Sequence, residues 1–147
     1  MIVIDDGLVL ALLSGSTATE VEELRPGVDD DIPLTTGSWY FRLCRAVVGG
    51  RRGRLTKDLD ALDSSDAQVV EQRLLQPPPD RLRIIGMADV APTAALLANQ
   101  HRLNSLSAEA LALAFLEATS IVVSARNDGP PLRRAAEAEG IEYRVVG

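Results

Sequence analysis

The stretch Met1-Ile2-Val3-Ile4-Asp5-Asp6-Gly7 decides the fold of this chain. Ile2, Val3 and Ile4 form an unbroken β-branched run, as expected of a short strand buried on both faces of a parallel sheet. Two carboxylates follow at once, at the C-terminal end of that strand. Open α/β sheets place their chemistry at such strand ends. Carboxylate oxygens there suit a hard divalent cation, Mg²⁺ or Mn²⁺, which takes oxygen ligands. Asp5 and Asp6 alone do not make a site, so the other acidic groups that the fold returns to this spot matter as much.

Downstream, strand and helix signals alternate. Leu8 to Leu13 continues as a helix until Gly15 and Ser16 break it, and Ser16 or Thr17 can cap a Glu-rich helix through about Leu24. After the acidic loop Asp29-Asp30-Asp31, the segment Ile32 to Thr35 reads as a brief extended piece. Thr36 or Ser38 then caps a helix through Val48, with Trp39, Leu43 and Val47 at helical spacing, and Gly49-Gly50 stops it. A helix from Leu59 or Ser65 to Leu75 closes at Pro77-Pro78-Pro79. Arg83-Ile84-Ile85 is a strand candidate. Val90 to Asn99 reads as a helix with Pro92 in its first turn, and Ser107 as the cap of an almost wholly apolar helix, Ala108 to Ala118, which such apolarity marks as buried. Ile121-Val122-Val123 is a clear strand, Asp128-Gly129-Pro130 turns into a helix ending at Gly140, and Ile141 to Val146 is the last strand. Strands alternating with helices over the whole length predict one α/β domain, residues 1–147: a three-layer α/β/α sandwich around a mostly parallel sheet.

Composition agrees and narrows the function classes. A chain of 147 residues buries enough surface for a real core. With 3% aromatics, that core must be built from Leu, Val, Ile and Ala. The single cysteine, Cys44, excludes an internal disulfide and a cysteine-based zinc cluster. The N-terminus has no basic n-region, and no apolar run spans a bilayer, so a cytoplasmic protein without membrane attachment is expected. A net charge of −6 argues against a general nucleic-acid coat. Yet Arg42, Arg45, Arg51, Arg52, Arg54 and Lys57 gather six of the fifteen basic residues into sixteen positions. That stripe can hold a phosphate backbone, or can be a solvated helix end and loop.

At this point the chain resembles the PIN-domain family of metal-dependent nucleases, which includes the toxins of many bacterial toxin–antitoxin pairs. Three segments carry the resemblance. The opening strand ending in Asp5 is similar to the family's first motif. Leu106-Ser107-Ala108-Glu109-Ala110-Leu111 resembles its Leu-Ser-x-x-Asp-Ala helix start, with Glu for Asp. Ile121-Val122-Val123-Ser124, followed by Asp128 and the Leu132-to-Gly140 helix, resembles its last acidic motif and closing strand.

The resemblance implies carboxylates from Asp5, Glu109 and Asp128, with Asp6 beside them, around Mg²⁺ or Mn²⁺. The metal would activate water for in-line attack on single-stranded RNA, which the arginines Arg42, Arg45, Arg51, Arg52 and Arg54 would guide. It also implies an antitoxin-like protein partner and a homodimer. Ser124 would take the place of a polar residue that orients the last acid.

The chain departs from the family in the middle. The second acid's helix position falls at or near Arg42, and no acidic residue lies between Asp31 and Asp58. An Arg there is a fixed cation that could neutralise the carboxylates without metal, leaving an inactive binding module on the same fold.

Each candidate has a plainer role beside the functional one. Asp5 and Asp6 can cap the helix that follows. Glu109 sits in a first helical turn, where an acid complements the dipole, and Asp128 before Gly-Pro-Pro suits a cap or turn. His101 has no partner motif. Trp39 and Tyr40 can stack on a base or, for Trp39, anchor the core. Gly49-Gly50-Arg51-Arg52-Gly53-Arg54 lacks the preceding strand and the Lys-Ser/Thr pair of a P-loop. Lys57 is the only lysine, which rules out a receiver domain, and Asp5-Asp6-Gly7 lacks the Asp-x-Asp of a haloacid-dehalogenase-like phosphatase.

Overall fold

The computed structural model describes residues 1–14, 32–49, 64–77 and 80–147. Its elements run β1 (Ile2–Ile4), α1 (Asp6–Ser14), β2 (Leu34–Thr36), α2 (Gly37–Val48), α3 (Ser64–Leu75), β3 (Arg83–Ile85), α4 (Met87–His101), α5 (Ser105–Leu116), β4 (Ser120–Ser124), α6 (Pro130–Ala138) and β5 (Tyr143–Val146). The expected helix between Ser16 and Leu24, and the basic positions Arg51, Arg52, Arg54 and Lys57, lie outside the described residues.

The five strands form one sheet in the order β3-β2-β1-β4-β5, and every pairing is parallel. Where a mostly parallel sheet was expected, the described one is wholly so. Alternation along each central strand explains the three layers. Ile2 and Ile4 of β1, with Val122 of β4, pack against Leu8, Val9, Leu10 and Leu13 of α1, Leu43 of α2 and Val70 and Leu74 of α3. Val3, Ile121 and Val123 point the other way, into a core made with α4, α5 and α6. Both faces of the sheet are covered by helices, so the central strands carry the unbroken apolar runs Ile2–Ile4 and Ile121–Val123. Among the described residues no helix is long and apolar enough to cross a membrane.

Helix α5 shows why its apolarity had to be nearly complete. Its residues 108 to 114 are all buried, including Glu109. Two helix starts differ from the sequence expectation. Asn104, not Ser107, caps α5, its side chain accepting the Ser107 N–H at 2.8 Å. Helix α4 begins at Met87, one residue after β3 and Gly86, so Pro92 lies inside the helix and not in its first turn.

The order of the strands sets where a ligand can sit. From β1 the chain steps outward to β2 and β3, then returns beneath the opposite face to place β4 on the other side of β1. Strand order therefore reverses between β1 and β4, and such a switch point leaves a crevice outside the carboxyl ends of the two strands. Asp5 follows β1 and Ser124 ends β4.

Candidate functional site at the carboxyl edge of the sheet

Asp5 is wholly buried at this crevice, with donors on both carboxylate oxygens. Its Oδ1 accepts the Leu8 N–H at 2.9 Å, the capping contact that starts α1. Its Oδ2 accepts the Ser124 N–H at 2.9 Å, the Ser124 hydroxyl at 2.7 Å and the Asn127 amide Nδ2 at 2.7 Å. Burial pushes the Asp5 carboxyl above the ordinary carboxylate range, against the pull of these hydrogen bonds. Ser124 comes this close because Gly7 has no side chain: a Cβ on Gly7 would lie 2.7 Å from Ser124 Oγ.

Asp6, also fully buried, is held by a cation. Arg42 of α2 donates to it from both Nε and Nη2, the latter at 2.9 Å to Oδ1. Asn127 Nδ2 donates to the same Oδ1 at 2.6 Å, and Asn127 Oδ1 accepts from Arg42 Nη2 at 2.8 Å. One amide thus joins both aspartates and the arginine, and the network itself fixes which end of the amide is oxygen. The Asp6 hydrogen bond, outweighing burial, raises Arg42 above its ordinary value, so the cation is permanent.

The sequence candidates are not all brought together. Asp128 pairs with Arg133 and accepts the Tyr143 hydroxyl at 3.2 Å. Its neighbour Asn127 is the residue that reaches Asp5 and Asp6. Burial first of all pushes the Tyr143 phenol up to about 12, so that hydroxyl stays a donor. Glu109 faces the start of α2: its Oε1 accepts the Ser38 N–H at 3.3 Å, and its Oε2, although buried, has no hydrogen-bond partner among the described residues. Arg45 is exposed on α2, whereas Arg42 turns inward to Asp6. Trp39 is 3% exposed within the core, which leaves no face for stacking on a base. His101 pairs with Glu139 at 2.6 Å, binding α4 to the residue that follows α6.

Asn127 carries a sequence signal of its own. It stands three residues beyond the end of a buried strand, next to Asp128.

A metal fits this arrangement poorly. Among the described residues no group of three His, Cys, Asp or Glu side chains gathers to hold an ion. The lone pairs of Asp5 and Asp6 that would bind one are spent on five donor groups, one of them a guanidinium. Beside them opens a cavity of about 450 Å³, lined among others by Trp39, Arg42, Arg102, Arg126, Asn127 and Asp128. Its walls come from α2, the end of α4, the start of α5, the turn after β4 and the start of α6, and it shares Arg42 and Asn127 with the aspartate network at the strand ends, the edge where open α/β sheets take ligands. No family model matches the chain, and no curated protein matches it.

Proposed function

We propose that this chain is a PIN-like domain that binds nucleic acid at the carboxyl edge of its sheet without cleaving it. The observation that carries this reading is the Arg42–Asp6 pair. Where the resemblance calls for a second acid, the chain supplies a guanidinium that engages Asp6 at two nitrogens. A cation at that point replaces the charge a metal would bring, but it cannot activate a water or move to follow a reacting phosphate. What remains is the cavity beside the pair, on whose wall Arg42 and Asn127 stand, as the place where a ligand would meet this edge of the sheet.

The test is calorimetric titration of Mn²⁺ into wild type and Asp5→Asn, with thermal melts alongside. A resident metal must stabilise the folded state, by about 2.7 kcal/mol at a hundredfold excess over Kd. The expected result is no heat and no shift in melting temperature at millimolar Mn²⁺. Binding that disappears in Asp5→Asn would overturn the reading.

A second reading is favoured by one atom. Glu109 Oε2 is a buried carboxylate oxygen without a hydrogen-bond partner among the described residues, at the position the resemblance assigns to a metal ligand. In that reading the protein is a Mg²⁺- or Mn²⁺-dependent ribonuclease, with an antitoxin-like partner or a homodimer as its regulated form. It requires Arg42 to leave Asp6 before metal enters, so the same titration separates the two.

A further inference from the structure

The cavity of about 450 Å³ beside the aspartate network has charged residues on its wall whose charge is mostly spent. Arg42 is held by Asp6, Asp128 is paired with Arg133, and Arg126 has a partner of its own. An anion would find little uncompensated charge there, whereas a neutral ligand leaves no charge of its own buried. Leu106, Pro131 and Leu132 supply apolar wall. Small-molecule sites share this make-up, apolar with a few placed polar groups and roughly 300 to 1,000 Å³ in volume.

The hydrogen-bonding groups left over on this wall are chiefly donors. Arg42 spends Nε and Nη2 on Asp6 and Asn127, while its Nη1 has no bond among the described residues. Asn104 takes the Ser107 N–H on its Oδ1 at 2.8 Å, so its amide Nδ2 remains a donor. The Ser107 hydroxyl has no partner among the described residues and can donate as well. A wall of donors calls for a ligand that presents carbonyl oxygens.

Arg102 lines the same cavity and adds a flat group. It caps α4 in the left-handed conformation, with φ 54° and ψ 47°, a position that glycine usually holds. A guanidinium plane is a surface on which unpaired bases stack. We infer that the cavity receives one unpaired base of the uracil kind, stacked on Arg102 and read by the donors of Arg42, Asn104 and Ser107. Uracil, like thymine, offers an O4 acceptor where cytosine offers an N4 amino donor, so the same wall turns cytosine away. The inference rests on the metal-free nucleic-acid-binding reading and names the part of the ligand that enters. The base can belong to a single strand or to a free nucleoside, since the edge met by the donors is the same.

The experiment uses the whole chain in EDTA. Uridine, cytidine and uridine monophosphate are titrated by calorimetry and by the fluorescence of Trp39, which lines the cavity. RNA hexamers of uridine alone and of cytidine alone are titrated beside them. Uridine is expected to bind roughly tenfold or more tightly than cytidine, the discrimination that unmet hydrogen bonds produce. Its monophosphate should bind no more tightly than uridine itself. Arg102→Gly is expected to weaken uridine by roughly tenfold, as loss of a stacking partner does. The melting temperature of that variant should hold or rise, because glycine relieves the left-handed cap. Ser107→Ala should narrow the gap between uridine and cytidine. Arg81→Ala, an exposed arginine outside the cavity lining, should leave the affinities unchanged. Tighter binding of the uridine hexamer than of uridine assigns the base to a strand, equal binding assigns it to a free nucleoside, and either supports the site.

Absence of uridine binding, equal affinity for uridine and cytidine, or a monophosphate held far more tightly than the nucleoside overturns the inference. So does unchanged affinity in a folded Arg102→Gly. The hexamers, repeated in Mn²⁺, separate its failure from that of the broader reading. Hexamers that bind in EDTA without preference between the bases overturn the base site alone. Hexamers that bind only with Mn²⁺, or in neither condition, overturn both.

Discussion

Arg42 grips Asp6 across 36 positions of sequence, with Nε and Nη2 on the two oxygens of a carboxylate that solvent does not reach. Removing one partner leaves the other's charge buried. Arg42→Gln is therefore expected to destabilise the fold by about 2 kcal/mol, less than the roughly 3–5 kcal/mol of a fully buried pair because the Arg42 side chain is 41% exposed. Adding Asp6→Asn removes the stranded charge, so the double variant should lie well above the sum of the single losses. Urea unfolding of the four proteins measures this coupling, and additive losses would mean that the pair does not interact.

Asp5 should make stability depend on pH in the direction opposite to that of a salt-bridged carboxylate. Burial raises its folded value above the ordinary 3.8, so the folded chain holds the proton more tightly than the unfolded one. Its contribution is then fully present below the unfolded value and lost as pH rises through the folded one. The stability of wild type relative to Asp5→Asn is expected to be greatest near pH 4 and to decline towards neutrality. Parallel denaturation curves from pH 4 to 7.5 test this, and a difference that grows with pH would reverse the sign.

How much of this was legible beforehand divides along a physical line. The sheet was readable because its central strands, Ile2–Ile4 and Ile121–Val123, are short apolar runs that must be covered on both faces, and periodic helix patterns alternate with the strand candidates along the chain. Of the two caps that local chemistry offered for α2, Thr36 and Ser38, Thr36 holds the position, its side chain accepting the Trp39 N–H at 3.1 Å. Arg42 was legible only through the resemblance, which implies an acid at or near that helix position where the chain has a cation. Asn127 was not, since whether a turn residue or its neighbour points into a site depends on the path of the turn after β4. Sequence spacing ranked Asp128 first because it carries a charge, but Arg133 and Tyr143 engage that charge instead.

Gly7 is required by Ser124. A methyl group placed on Gly7 would meet Ser124 Oγ at 2.7 Å and Ser124 Cβ at 3.2 Å, in the packed crevice between β1 and β4. Gly7→Ala therefore has to push Ser124 off Asp5 or shift α1, at an expected cost of about 1–3 kcal/mol. Ser124→Ala removes the closer of the two contacts. In the Gly7→Ala background it should cost less than it does alone, where it deletes a hydroxyl bonded to Asp5 at 2.7 Å. A thermal double-mutant cycle reads that difference, and equal costs in both backgrounds would show that the two residues do not share the crevice.

Asn127 is the residue whose change bears most directly on how the site works. Its amide Nδ2 donates to Asp5 Oδ2 at 2.7 Å and to Asp6 Oδ1 at 2.6 Å. Asn127→Asp keeps the shape and replaces that donor with a third carboxylate against two buried acids. Without metal the variant should lose about 3 kcal/mol or more, since a buried donor is removed and like charges are forced together. The same change creates what the wild-type site lacks, three carboxylates on one spot, and oxygen clusters of that kind attract hard divalent ions. Millimolar Mn²⁺ should then restore part of the loss in Asn127→Asp while leaving wild type unchanged, because only the variant gains a binding free energy for its folded state. Melting curves of both proteins with and without Mn²⁺ decide it. Recovery in the variant alone would mean that a single amide nitrogen, together with Arg42, separates this site from a metal centre. Stabilisation of both would mean that wild-type Asp5 and Asp6 already accept a cation beside Arg42, and the metal-free reading would fall.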